Sequence, residues 1–147
     1  MNYRDAVAQD IEKIENLLIE HHLPVNDILK YIDNFVVSEQ KNNIIGVGGY
    51  ENLGEIALIR SIVVSQEYRG QSIGANIYRL LEEKIKHIGI KEAYLLTETA
   101  TDYFKKLGFT LKERASLPEA ITITKQFREL CPSTAIIMFN ELSINNA

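Results

Sequence analysis

The residues best suited to chemistry lie between positions 60 and 75. An apolar run, residues 56–64, leads through Ser65-Gln66-Glu67-Tyr68 into Arg69-Gly70-Gln71-Ser72-Ile73-Gly74-Ala75, where a helical pattern begins. A strand that turns tightly into a long helix presents backbone amides that have no partner inside the helix, at the positive end of its dipole. Glycines let an anion come close to such backbone, and Arg69 adds a charged donor, so a phosphate-bearing ligand suits the segment. A surface turn with an incidental arginine is the plainer reading of the same residues. Just upstream, Arg60 and Ser61 interrupt the apolar run. A guanidinium there either pairs with a buried carboxylate or binds an acidic substrate through its planar fork.

These residues need a scaffold, and the chain is long enough to supply one. Its 147 residues are 46% hydrophobic and 24% charged, the profile of one soluble domain with a single core over residues 1–147. The net charge of −4 speaks against a broad nucleic-acid or anionic-membrane surface. Neither a cationic, apolar leader nor a membrane-length apolar stretch is evident, so a cytoplasmic location is expected. The lone Cys131 cannot form an internal disulfide, and no His/Cys pair has zinc spacing, so a metal-free fold is the default.

The positioning elements follow from periodicity and turn chemistry. After a short strand near Tyr3, Asp10 is placed to cap a helix carrying Ile11, Ile14, Leu17 and Leu18 on one stripe. His21 and His22 stand where a cationic imidazole suits a helix C-terminus. A second short helix is expected over residues 27–32, then strands 35–39 and 44–51 joined by Lys41-Asn42-Asn43. Strand 56–64, helix 72–87 closed by Gly89, strand 93–97, a short helix 101–107 ended by Gly108 and a strand from Phe109 come next. Ser116, Pro118 and Glu119 have the form of a capped helix start, predicting a helix to about Leu130 before a last strand, 135–139. Early hairpins followed by a strand–helix–strand crossover make the chain α+β.

Arg69-Gly70-Gln71-Ser72-Ile73-Gly74 resembles the acyl-CoA signature of the GNAT acetyltransferases, Arg/Gln-x-x-Gly-x-Gly/Ala, with Ser72 where Gly is usual. Tyr103-Phe104-Lys105-Lys106-Leu107-Gly108-Phe109 resembles the Phe-Tyr-x-x-Leu-Gly-Phe segment of the same family, with its aromatic pair reversed. Leu58-Ile59-Arg60-Ser61-Ile62-Val63-Val64, Tyr94-Leu95-Leu96-Thr97-Glu98-Thr99-Ala100 and Leu130-Cys131-Pro132-Ser133-Thr134-Ala135 are similar to a GNAT subgroup associated with arsenic resistance. The Leu-Thr-x-Thr arrangement is also similar to the acetyltransferase domain of N-acetylglutamate synthases.

The resemblance implies a mostly antiparallel sheet of six to seven strands flanked by helices and splayed between its central strands. It implies acetyl-CoA as co-substrate, held by Ile62, Val63, Val64, Arg69, Gly70, Gln71, Ser72, Ile73, Gly74, Ala75, Thr99 and Phe104. A small, amino-acid-like or acidic amine, an arsenical or a glutamate analogue among them, is the implied acceptor, with Arg60, Ser61 and Thr97 around it. A homodimer is expected because relatives often dimerise. Where many GNATs carry a basic Glu this chain has Leu58, so Glu98 is the replacement proton acceptor, with a solvated strand-end carboxylate as its plainer reading; Glu51 and Glu55 are further candidates, read rather as exposed charges flanking a turn. Phe104 fills the position of the usual proton-donating Tyr, which leaves Tyr103 as donor or both rings as core. Those two departures also admit a CoA-binding sensor without turnover. Acetylation of a protein or peptide is a further enzymatic alternative.

Overall fold

The computed structural model describes residues 2–23, 25–124, 127 and 135–142. Cys131 and Arg128 lie outside the described residues, as does the predicted helix between 125 and 130 apart from Phe127. Seven strands and four helices are present among them: β1 (Asn2–Asp5), α1 (Ile11–Glu20), β2 (Phe35–Gln40), β3 (Asn43–Asn52), β4 (Ile56–Val64), α2 (Ile73–His87), β5 (Glu92–Thr97), α3 (Thr101–Lys106), β6 (Thr110–Lys112), α4 (Glu119–Thr122) and β7 (Ile136–Glu141). The fold is α+β with mostly antiparallel pairing, as expected. The chain divides into two compact units, residues 1–51 with 60–84, and residues 52–59 with 85–147, so that β4 contributes its first half to the second unit and its second half to the first.

In the first unit β1 pairs with β2 and β2 with β3, all antiparallel. The β2–β3 hairpin turns on Lys41 and Asn42, whose φ values of 51° and 67° are those of a two-residue turn matched to strand twist. Alternation along β2 and β3 sends Phe35, Val37 and Val47 to one face, where Ile14, Leu17 and Leu18 of α1 pack with Ile28 and Val63. Helix α2 covers the other face and comes close because a Cβ at Gly48 would lie 2.7 Å from Ile77 Cγ2.

In the second unit β5 lies parallel to β4 over Ile56, Ala57 and Leu58 and antiparallel to β7 along its whole length, with β6 beyond β7. Ile56, Leu58, Tyr94, Ile121 and Ile137 form its core. The β4–β5 ladder stops at Leu58 with Tyr94, although β5 continues to Thr97.

Three local expectations need correction. Asp10 caps the 3-10 turn that precedes α1: its Oδ2 accepts the Val7 amide at 2.8 Å, and Arg4 grips both its oxygens. Residues 26–31 form successive turns rather than a helix, and Asp27, the first residue of the expected helix, sends its carboxylate to Arg60. Ser116 closes a 3-10 turn and donates to the Glu113 carbonyl, so α4 starts three residues later behind Pro118.

Candidate active site

Strand β4 is irregular where the sequence reading places chemistry. Ser61 has φ 59°, a left-handed conformation in the middle of a strand that costs a non-glycine residue roughly 1–3 kcal/mol. Hydrogen bonds join Leu53 to Ile56 at one end of the β3–β4 hairpin and Ser65 to Ile45 at the other. Between them β4 is one residue longer than β3, which is the definition of a bulge. The in–out alternation breaks there, Ile59 and Arg60 both being buried while Ser61 and Ile62 are both half-buried. The bulge re-aims the backbone of Ile62, Val63 and Val64, whose last carbonyl accepts a 3.3 Å bond from Arg69 Nε.

The following turn has the shape that its glycine pattern implies. A 3-10 turn (Gln66–Tyr68) gives way to extended Arg69, then Gly70 at φ 83° and Ser72 at φ 62°, directly before the fifteen-residue α2. Ser72 thus keeps the left-handed backbone that glycine would adopt without strain, so the departure from the usual motif leaves the loop's course intact. The first helical bond runs from Asn76 N to Ser72 O, and the amides of Ile73, Gly74 and Ala75 belong to the turn that has no internal acceptors. A Cβ built at Gly70 would meet nothing within 4 Å, so the backbone is open to an approaching group. Arg69 through Ser72 are exposed.

Arg60 is 3% exposed, and the structure pairs it with carboxylates. Its Nη1 donates to Asp27 Oδ2 at 2.7 Å and to Glu51 Oε2 at 3.5 Å, and its Nε to Ser61 Oγ at 3.2 Å. The guanidinium carbon lies 5.9 Å from the centre of the Phe35 ring. Its Nη2 is sealed from solvent without a hydrogen-bond partner. The reading of Glu51 as an exposed turn charge is overturned: it is 6% exposed. Burial pushes its carboxyl above the usual range, against the downward pull of Arg60. Neither Asp27 nor Glu51 was named as the partner of Arg60, although Glu51 was among the further proton-acceptor candidates. The signal for Glu51 was its place two residues after Gly49 and four after Val47, on the strand face that packs inward.

The remaining predicted residues belong to the second unit. Thr97 Oγ1 accepts the Ala100 amide at 3.0 Å and shapes the turn that carries exposed Glu98 and Thr99. On α3 the adjacent rings diverge as helical geometry requires. Phe104 lies 5.9 Å from the ring of buried Phe109, whereas Tyr103 remains 41% exposed with its ring 5.2 Å from Phe104. Partial burial pushes the Tyr103 phenol up, so it holds its proton at neutral pH. Among the described residues no three His, Cys, Asp or Glu side chains gather to hold a metal, and no helix is long and apolar enough to cross a membrane.

The profile of the acetyltransferase (GNAT) family matches residues 8–109, spanning α1, the bulged β4, the turn into α2 and the Tyr103 segment. The chain belongs to that family. An uncharacterized N-acetyltransferase of Chlorobaculum tepidum is 29% identical over 129 residues, covering 82% of this chain and 80% of its own. The amino-acid acetyltransferase of Pasteurella multocida is 30% identical over 69 residues, covering 47% of this chain and 15% of its own. Among solved structures, the N-acetylglutamate synthase of Neisseria gonorrhoeae, complexed with coenzyme A and N-acetyl-glutamate, superposes with a TM-score of 0.86 at 20% identity. That likeness covers 97% of this GNAT chain and 35% of the synthase, so it describes a shared fold and not a shared whole protein.

Proposed function

We propose that this protein moves the acetyl group of acetyl-CoA to the amine of a small, amino-acid-like acceptor that carries a carboxylate. The observation that carries the reading is the Arg69–Ser72 turn, whose two left-handed residues open onto the first amides of α2. That arrangement fits a diphosphate: partnerless amides, a positive helix end, an unobstructed Gly70 and the Arg69 guanidinium converge on it. Arg69, Gly70, Gln71, Ser72, Ile73, Gly74 and Ala75 would hold the diphosphate, beside the backbone of Ile62, Val63 and Val64; for Thr99 and Phe104 the support is the family resemblance. When bound, acetyl-CoA supplies an acetyl thioester activated toward attack by an amine.

Arg60 supports the acceptor class. A buried guanidinium with one unsatisfied donor, Nη2, calls for an anionic oxygen, and a carboxylate is the commonest such group on a small amine. Ser61, which accepts from Arg60 Nε, is the neighbouring polar residue assigned to the acceptor; for Thr97 at the acceptor and Tyr103 as proton donor the support is the family resemblance, and the Tyr103 phenol stays protonated. Relatives named amino-acid acetyltransferases point to the same class. Leu58, fully buried where the family often has Glu, favours a second reading in which CoA is bound without turnover.

Calorimetric titration with acetyl-CoA, followed by a thiol-release assay over amino acids and phosphonate and arsenical analogues, tests the reading. Arg69→Ala is expected to weaken acetyl-CoA binding about tenfold, the worth of a charge-assisted hydrogen bond. Binding with no thiol release on any acceptor selects the sensor. A folded protein that does not bind acetyl-CoA refutes both.

A further inference from the structure

We propose that Glu51 is the proton acceptor for the acceptor amine, in a pocket of charge set by Arg60 and Asp27. The inference rests on the acetyltransferase reading above. An amine that is an ammonium at neutral pH must lose a proton before it can attack a thioester, and the usual strand position for a base is occupied by Leu58. The structure brings a carboxylate to the same strand by another route: Glu51, from the end of β3, meets Arg60, two residues beyond Leu58 and next to the bulge at Ser61.

The manner of holding distinguishes a base from a counter-ion. Asp27 makes the short bond to Nη1, 2.7 Å, and is the principal neutralising partner. Glu51 touches the same nitrogen at 3.5 Å through Oε2 alone, the outer limit of a hydrogen bond. No hydrogen bond to its other oxygen, Oε1, is present among the described residues. An oxygen so placed accepts a proton without first breaking a strong ion pair, directly or through one water.

Charge favours the same assignment. One guanidinium between two carboxylates leaves the cluster at −1, which draws a cation, while the unsatisfied Arg60 Nη2 remains for an anion. A zwitterionic amino acid offers both. The groups that act on Glu51 are Arg60 from β4 and Lys30, which hold its carboxyl down, and Asp27, which with burial raises it; burial dominates. A carboxyl moved toward neutrality accepts a proton more readily than an exposed one, and Glu98 is exposed.

In the step itself Glu51 takes one proton from the ammonium, and the freed electron pair on nitrogen forms the bond to the acetyl carbon. The carbon–sulfur bond breaks, the sulfur leaves with its electrons and is protonated by the second proton that nitrogen loses. Glu51 then returns its proton to water, so one amide, one thiol and one proton are formed.

The test is the pH dependence of kcat/KM for wild type, Glu51→Gln and Glu98→Gln, with acetyl-CoA affinity and thermal melts measured on each. The expected result is that Glu51→Gln lowers kcat by about 10² to 10⁴, removes the acid limb of the profile, and leaves acetyl-CoA affinity and melting close to wild type. Should Glu51→Gln not fold, Glu51→Asp serves, because it keeps the carboxylate and is expected to retain the limb with a lowered kcat. Retention of rate and limb in Glu51→Gln, an Asp variant without the limb, or a limb that vanishes in Glu98→Gln instead, overturns the assignment. A wild type that binds no acetyl-CoA refutes the acetyltransferase reading itself, while one that binds it and never turns over refutes Glu51 as base.

Discussion

Two arginines in the first unit each stand between two carboxylates, and the contrast separates a structural cluster from a chemical one. Arg4 reaches Asp10 through both Nη atoms, at 2.7 and 2.9 Å, and Glu39 through Nε and Nη2, at 3.3 and 3.2 Å. Its side chain is 29% exposed, its remaining Nη1 contact goes to the Asp5 carbonyl, and the network ties β1, β2 and the entry to α1 together. Hydrogen bonds from Arg4 hold the carboxyls of Asp10 and Glu39 below their ordinary range. Arg60 is 1% exposed in its side chain, one of its two carboxylates is held only at 3.5 Å, and burial moves that carboxyl up instead of down. Saturated, bidentate pairing lowers a carboxyl's pKa and leaves it inert. At Glu51 burial outweighs the loose pairing with Arg60 and moves the carboxyl up.

The largest test of this contrast is Arg60→Ala. It would leave Asp27 and Glu51 in the core without their counter-ion, and a loss of about 3–5 kcal/mol is expected from denaturant unfolding. Next is Gly49→Ala. A Cβ there would sit 2.6 Å from the Phe35 ring that lies against Arg60, so a loss of roughly 1–3 kcal/mol is expected, read as a lowered denaturation midpoint.

Asp10→Asn is expected to lose about 1–2 kcal/mol at neutral pH, as charge-assisted bonds from Arg4 and the Val7 amide weaken. The pH dependence carries the sign. Asp10 is held low in the folded state, so its contribution is present above the ordinary carboxylate range and is lost as pH falls through the folded value; Asp10→Asn flattens that acid limb of stability.

Glu51→Gln is the smallest effect on stability, within about 1 kcal/mol at neutral pH because Asp27 still neutralises Arg60. Its linkage has the opposite sign. The folded state binds the Glu51 proton more tightly than the unfolded chain, so wild-type stability falls as pH rises from the ordinary carboxylate value to the raised one. Unfolding from pH 4 to 8 should show that slope in wild type and not in Glu51→Gln. The two carboxylate variants responding alike would remove the distinction between the clusters.

Much of the scaffold was legible because it is written in short-range rules. The hairpin at Lys41 and Asn42, the β4 run, the α2 stripe and the helix end at Gly89 depend on turn chemistry and periodicity within a few residues, and each lies within a residue or two of its predicted place. The turn from β4 into α2 was legible for the same reason. Errors arose where a polar side chain had a distant competitor: Asp10 is claimed by Arg4, and Asp27 by Arg60, thirty-three residues away. Ser61 was read as an acceptor-site residue, and its left-handed backbone had no marker because its type, unlike glycine, does not announce that conformation.

By itself the sequence determined the α+β class, the family signature and the turn from β4 into α2, since those rest on residue type and local spacing. Tertiary structure alone decided which carboxylates share the buried guanidinium, how tightly each is held, and therefore which of them can move a proton. Such properties depend on distance and solvent access, and chain spacing records neither.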